Sequence, residues 1–362
     1  MPRARELGIE IGTLPSGPLG AITDVAGVRV GHATIVEGDD VRTGVTVVLP
    51  HEGDAWAEPV FAGAHRLNGN GELTGLEWIR ESGLLHSPVA LTNTHSVGVV
   101  RDALVAWEAE RRGGRFWSLP VVGETWDGVL SDVNGMHVAA AHVRAALDSA
   151  SGGPVAEGSV GSGTGMICHG FKGGIGTASR VVEEAGGATV GVLVQANQGS
   201  REQLRVAGYP VGRAVGTGEV PSPGAFDVEG AGSIIAVVAT DAPLLPLQCE
   251  RLAQRAGLGV ARAGGLGENF SGDLFLAFAT GNRGLPPNEI RDDLPLAHDV
   301  RMLGNRWITP LFQAVVEATE EAILNALLQA GTVSGCGRTA HGLEPERLLA
   351  ALRSLGWRPA AR

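Results

Sequence analysis

The chain has 362 residues, 39 of them acidic and 28 basic, for a net charge of −11, and 44% are hydrophobic. That balance fits a globular protein with a sizeable core and argues against nucleic acid or an anionic membrane as the main partner. Cys168, Cys249 and Cys336 are odd in number and far apart, against both a disulfide framework and a zinc ribbon.

A reducing compartment follows. The first ten residues carry no apolar signal core, and no apolar run approaches the ~20 residues of a membrane span, so the expected location is the cytoplasm. The 55 glycines are roughly twice the usual share of about 7%. They lack a collagen period and read as tight turns and close backbone approaches.

In chain order, Gly27 to His32 and Gly44 to Pro50 read as paired strands. Pro59-Val60-Phe61 leads to the dense turn signal at residues 68–72, where Asn68 and Asn70 read as turn asparagines or ligand contacts. Thr74-Gly75-Leu76-Glu77 has the spacing of a capping box opening a helix that ends near Gly83.

A strand is predicted over residues 89–92 and a helix over 97–112, with Val100, Leu104 and Trp107 at helical spacing. His95 between them has no recognisable serine and acid partner. The strand 119–122 runs into Gly123-Glu124-Thr125-Trp126-Asp127-Gly128, which reads equally as a subsite or as an ordinary turn. In the alanine-rich helix 136–150, His137 and His142 lie five apart and fail metal-ligand spacing.

Residues 158–176 are glycine-dense, yet they match neither the Walker pattern nor Gly-x-Gly-x-x-Gly before a helix, which argues against a nucleotide. A buried strand over 190–196 ends in Asn197-Gln198-Gly199, where a side-chain amide suits either a turn or donation to a developing oxyanion. Residues 199–231 read as a long surface loop. It delivers the chain to Gly232-Ser233 and a β-branched run, Ile234 to Val238, of the kind that forms a strand covered on both faces.

Gly232-Ser233 reads as a simple Gly-Ser turn, or as a bond whose serine attacks its own preceding carbonyl. Hydrolysis of the resulting ester would leave Ser233 as a new N-terminus, with nucleophile and amine base in one residue. Beyond it come a helix over 243–256, Ser271 and Asp273 two apart at the mouth of the strand 274–280, an amphipathic helix over 311–328 and a last helix over 345–355.

Seven segments together carry a resemblance. They are Ala21-Ile22-Thr23-Asp24, Leu67-Asn68-Gly69-Asn70-Gly71-Glu72, Leu91-Thr92-Asn93-Thr94, Gly163-Thr164-Gly165-Met166-Ile167-Cys168, Phe171-Lys172-Gly173-Gly174-Ile175-Gly176, Leu193-Val194-Gln195-Ala196-Asn197 and Ser271-Gly272-Asp273. Over nearly its whole length the chain resembles the DmpA-type aminopeptidases, a group of L-aminopeptidase/D-Ala-esterase-amidases and β-peptidyl aminopeptidases with related nylon-oligomer hydrolases.

The resemblance implies an α/β (α+β) fold: one four-layer αββα domain over 1–362, of the type shared with ornithine acetyltransferase and similar to N-terminal-nucleophile hydrolases. It also implies self-cleavage into 1–232 and 233–362, which stay associated. Ser233 would be the nucleophile, Ser271 and Asp273 its assistants and Asn197 the oxyanion donor. Glu124 would hold the substrate's amino group, with Trp126 beside it where some members carry tyrosine. Gln198 and Phe270 depart from the family pattern, which has an aromatic and a small residue there.

No cofactor or metal is expected. The partners expected are a small peptide or amide substrate, no nucleic acid, no membrane, and further copies of the chain in a homotetramer of processed heterodimers. Two alternatives stand beside this reading: an acyltransferase of the ornithine acetyltransferase kind, which self-cleaves before threonine rather than serine, and an unprocessed binding protein with the same fold.

Overall fold

The computed structural model describes residues 1–113, 115–224, 232–287 and 294–359. In chain order its strands are β1 (Arg29–Glu37), β2 (Val41–Leu49), β3 (Val60–Gly69), β4 (Leu84–Leu85), β5 (Val89–Asn93), β6 (Val121–Thr125), β7 (Ile167–Cys168), β8 (Phe171–Lys172), β9 (Gly174–Val182), β10 (Ala188–Asn197), β11 (Ser233–Thr240), β12 (Gly272–Ala279), β13 (Val333–Gly335) and β14 (Arg338–Ala340). The helices are α1 (Leu76–Ser82), α2 (Val97–Arg112), α3 (Ala140–Asp148), α4 (Val211–Ala214), α5 (Pro246–Ala263), α6 (Thr309–Gln329) and α7 (Pro345–Ser354).

Two sheets carry the architecture, one ordered β1-β2-β5-β6 and the other β4-β3-β12-β11-β10-β9. The alternation along β11 explains why they stack. Ile235, Val237 and Ala239 pack with Leu91 and Val121 between the sheets, while Ile234, Ala236 and Val238 pack against Leu252, Val315 and other residues of α5 and α6. On the far side, Val100, Leu104 and Val143 of α2 and α3 cover Val45, Val47 and Val122. The layers therefore run helix, sheet, sheet, helix, the αββα order expected from the resemblance.

Pairing directions gather strand ends at one place. β11 runs parallel to β12 and antiparallel to β10, so the start of β11 meets the start of β12 and the end of β10. β5 and β6 are parallel in the other sheet, which brings their C-terminal ends together. Parallel pairs need a crossover, and α2 and α5 supply it.

Several expectations need correction. β3 runs through Asn68 and Gly69, because the residues read as a turn signal pair with β12 across a register shift at Asp273 and Leu274. The capping box does not form: Gly75 in the left-handed region is the N-cap of α1, and the Thr74 hydroxyl donates to Pro120 O and accepts from Val122 N–H. β9 lies within and beyond the glycine-dense stretch, where Gly174, at φ 146°, packs so tightly that a Cβ would meet Gly158 O at 2.0 Å.

The predicted loop 199–231 contains α4, and Val206, Val211, Val215 and Val220 are buried in the helix-side core; residues 225–231 lie outside the described residues. The stripe of Leu311, Val315, Ala318 and Ala322 is buried, but so is the opposite face of α6. There the N-terminal segment covers it: Glu317 accepts from Thr13 and Leu14 N–H, and Arg5 and the fully buried Arg180 pair with Glu321.

Candidate active site

Ser233 opens β11, and its Oγ accepts the Gly272 N–H at 2.9 Å. Its register partner on β10 is Asn197, and the next residue, Ile234, is in register with Asp273 on β12. Two neighbouring strands therefore hold Asn197 and Asp273 on either side of the serine. Gly232 is a steric requirement: its φ lies outside the left-handed region, but a Cβ there would stand 2.0 Å from Asn197 O. The reason is the close approach of the chain to the end of β10.

Asp273 is the hub of the β12 side. Its Oδ1 accepts the Ser271 hydroxyl at 2.6 Å and the Ile234 N–H at 3.2 Å, while its own N–H donates to Asn68 Oδ1 at 2.8 Å. Burial pushes its carboxyl up to about 6, against the opposing effect of those hydrogen bonds. The group is thus poised between proton donor and acceptor just below neutral pH.

On the other side, Asn197 is oriented from both ends. Ile167 N–H donates to its Oδ1 at 2.7 Å, and its Nδ2 donates to Trp126 O at 3.0 Å. An amide nitrogen carries two protons, and Trp126 O takes one of them. The Trp126 ring packs edge-on against His95 at 5.5 Å. His95 is the residue for which the sequence showed no serine and acid partner.

Glu124 approaches from the first sheet. Its Oε1 accepts the Glu72 N–H at 2.9 Å and its Oε2 the Thr94 hydroxyl, and burial raises its pKa. Gly71 is the spacer between it and the serine side: a Cβ at Gly71 would lie 3.0 Å from Glu124 Oε1 and 3.2 Å from Gly272 Cα. The carboxylate therefore stands beside the residue whose N–H holds Ser233. Asp127 opens a turn, as one reading of the sequence had it: its carbonyl accepts the Leu130 and Ser131 N–H, its fully buried carboxyl accepts both contacts from Asn93 Nδ2, and burial raises it to about 6.

The sequence did not single out three contributors: the Gly272 amide, Gly71 as spacer and Thr94 on Glu124. Asn68 was noted, but as a turn or ligand residue; it holds Asp273 and donates to Glu268 O. Leu67, Leu266 and Phe270 are exposed at 46%, 70% and 53%, the first and last flanking Asn68 and Ser271 in the chain. Among the described residues, no group of three or more His, Cys, Asp or Glu side chains could hold a metal ion, and no helix is long and apolar enough to cross a membrane.

Two sheets packed face to face between helix layers, with a serine heading a central strand, are a variant of the N-terminal-nucleophile hydrolase fold. Residues 20–340 match the profile described as Peptidase family S58, and the chain belongs to that family. It is 47% identical to "Beta-peptidyl aminopeptidase BapA" of Sphingosinicella microcystinivorans, over 97% of this chain and 92% of that protein.

Among solved structures it is similar to a Burkholderia sp. beta-aminopeptidase, at TM-score 0.93 and 58% identity, covering 99% of this chain and 100% of that one. It is also similar to the L-aminopeptidase D-Ala-esterase/amidase from Ochrobactrum anthropi, at TM-score 0.90 and 44% identity, with the same two coverages. That protein is described as a prototype for the serine aminopeptidases and a new variant among the Ntn hydrolase fold.

Proposed function

We propose that this chain is a self-processing serine aminopeptidase that cuts its own Gly232-Ser233 bond and then removes N-terminal residues from short peptides, amides or esters. The observation that carries the reading is the setting of Ser233 Oγ at the head of β11, held by the Gly272 N–H between Asn197 and the Ser271-Asp273 pair. In the first reaction Oγ attacks the Gly232 carbonyl carbon, the Ser233 nitrogen leaves that carbon, and water hydrolyses the ester. The Ser233 α-amine so freed has a reference pKa of about 7.7 to 8.0.

In turnover that amine takes the hydroxyl proton as Oγ attacks the substrate carbonyl, and Asn197 Nδ2 donates to the oxyanion. The leaving amine receives the proton and water releases the acyl group. Glu124 binds the substrate's ammonium, Trp126 packs beside it, and the Ser271-Asp273 pair orients the nucleophile. No cofactor takes part. The relatives named for β-peptidyl and β-aminopeptidase activity, at 47% and 58% identity, support substrates with an N-terminal β-amino acid.

Processing into 1–232 and 233–362 would leave one domain of two associated chains, since β11 and β12 of the smaller chain lie between β3 and β10 of the larger. The proposal extends to a homotetramer of such heterodimers. Leu296, Val300, Met302 and Trp307, exposed at 43% or more along the stretch before α6, are apolar surface of the kind that a second copy covers. The free thiols of Cys168, Cys249 and Cys336 suit the cytoplasm.

A denaturing gel and the intact mass test the reading. Fragments of 232 and 130 residues with N-terminal Ser233 are expected, and Ser233→Ala should abolish both cleavage and hydrolysis of aminoacyl p-nitroanilides. Retained hydrolysis by Ser233→Ala would overturn it. One full-length band would favour an unprocessed binding protein, and preference for an amine acceptor over water would favour an acyltransferase.

A further inference from the structure

Lys172 is fully buried, and its ammonium faces carbonyls rather than a carboxylate. Its Nζ donates to Gly163 O at 3.0 Å, Met166 O at 2.8 Å and Gly173 O at 2.8 Å. Three acceptors around one nitrogen fit an ammonium, because a neutral amine has only two N–H bonds to give. A buried cation without a bonded counter-charge is costly, and a methionine of similar length would fill the space with no such cost.

The position of one peptide unit gives that cation an outlet. Met166 O accepts both Lys172 Nζ and Gly173 N–H, while the N–H at the other end of the same peptide, on Ile167, donates to Asn197 Oδ1. Peptide resonance couples the two ends: positive charge on the carbonyl draws density from nitrogen and makes its N–H a stronger donor. The Asn197 amide responds in the same way, since a strong donor on Oδ1 makes Nδ2–H more acidic. Its Nδ2 is the group that faces Trp126 O and the serine strand.

We propose that Lys172 is a positioning residue that polarises the Asn197 amide through the 166–167 peptide and so strengthens the oxyanion donor without moving a proton. The proposal rests on the aminopeptidase reading above and adds a charged group to it. Because the added stabilisation appears only when charge develops on the substrate oxygen, it acts on kcat and leaves KM alone.

The test uses the full processed protein. Lys172→Met removes the charge and keeps the volume, and Lys172→Gln restores a neutral donor. Each is expected to fold and to lose about tenfold in kcat, a fraction of the ~10²- to 10³-fold that a whole oxyanion donor is worth, with KM within about twofold.

Lys172→Ala leaves a space shaped like propylammonium, so added n-propylammonium should restore kcat while n-propanol should not. A kcat within twofold of the parent in Lys172→Met, a loss falling on KM, or equal rescue by n-propanol would each overturn the proposal. Failure of both Met and Gln variants to fold would assign Lys172 to the fold and overturn it too. Ser233→Ala run alongside keeps the two readings apart: if it is inactive while Lys172→Met is fully active, only the relay fails, and if it retains activity, the aminopeptidase reading itself fails.

Discussion

Gly232→Ala places one methyl group where the strands leave no room. The new Cβ would stand 2.0 Å from Asn197 O, 3.1 Å from Asn197 C and 3.2 Å from Gln198 Cα. Since a carbon and an oxygen in contact need more than 3 Å, the Gly232 backbone must retreat by about 1 Å, because the opposing atoms belong to a paired strand that is buried on both faces. Overpacking of this size costs about 1 to 3 kcal/mol in stability. Its effect on processing is larger, since a displacement near 1 Å at a reacting carbonyl can cost roughly 10²-fold in rate. The expected result is a protein that folds but cleaves about a hundredfold more slowly, followed by intact mass and denaturing gel over days. Once cut, residue 232 is a free terminus that can swing aside, so activity per cleaved molecule should match the parent. Cleavage at the parental rate would refute the reasoning, and so would slow cleavage accompanied by equally slow turnover in the cleaved fraction.

Other consequences concern the neighbouring groups. Asn197→Ala removes the proposed oxyanion donor and should lower kcat about 10²- to 10³-fold, read from aminoacyl p-nitroanilide hydrolysis. In Glu124→Gln the parent's preference for a free amino end over its N-acetylated counterpart should collapse, seen as a higher KM for the free-amine substrate alone.

Asp273 is raised by burial from 3.8 to about 6, so the folded protein keeps this proton to higher pH than the unfolded chain does. Stability owed to the group is complete below 3.8 and falls as pH rises to about 6. Asp273→Asn should therefore gain in urea midpoint relative to the parent across that window. Arg180→Met leaves Glu317 and Glu321 buried without their shared cation and should cost about 3 to 5 kcal/mol in chemical denaturation.

Much of this molecule is determined locally. The β-branched run Ile234 to Val238, apolar on both faces, could only be a central strand; α2 over Val97–Arg112 follows from the spacing of Val100 and Leu104; and Ser271 and Asp273, two apart at a strand mouth, project together and bond at 2.6 Å. The seven segments that carry the resemblance are likewise local in sequence, and all lie within residues 20–340 that match the S58 profile. Their order along the chain is enough to identify the family.

What sequence could not give is proximity across strands. Asn197 and Ser233 become neighbours only through the register of β10 and β11; Gly232 is glycine because of a carbonyl 35 positions earlier in the chain; and Gly71 matters because it separates Glu124 from Gly272. The polar groups drawn into the fold, Asn68 half-buried and Lys172 and Arg180 fully so, were hidden for the same reason. Asn68, Lys172 and Arg180 look like surface residues in a sequence, since charge and polarity favour water until the fold supplies partners: Asp273 N–H for Asn68, three carbonyls for Lys172, and two glutamates from α6 for Arg180. Periodicity reports which face of an element is apolar, whereas hydrogen bonds between distant segments depend on distances that exist only once the four layers have closed.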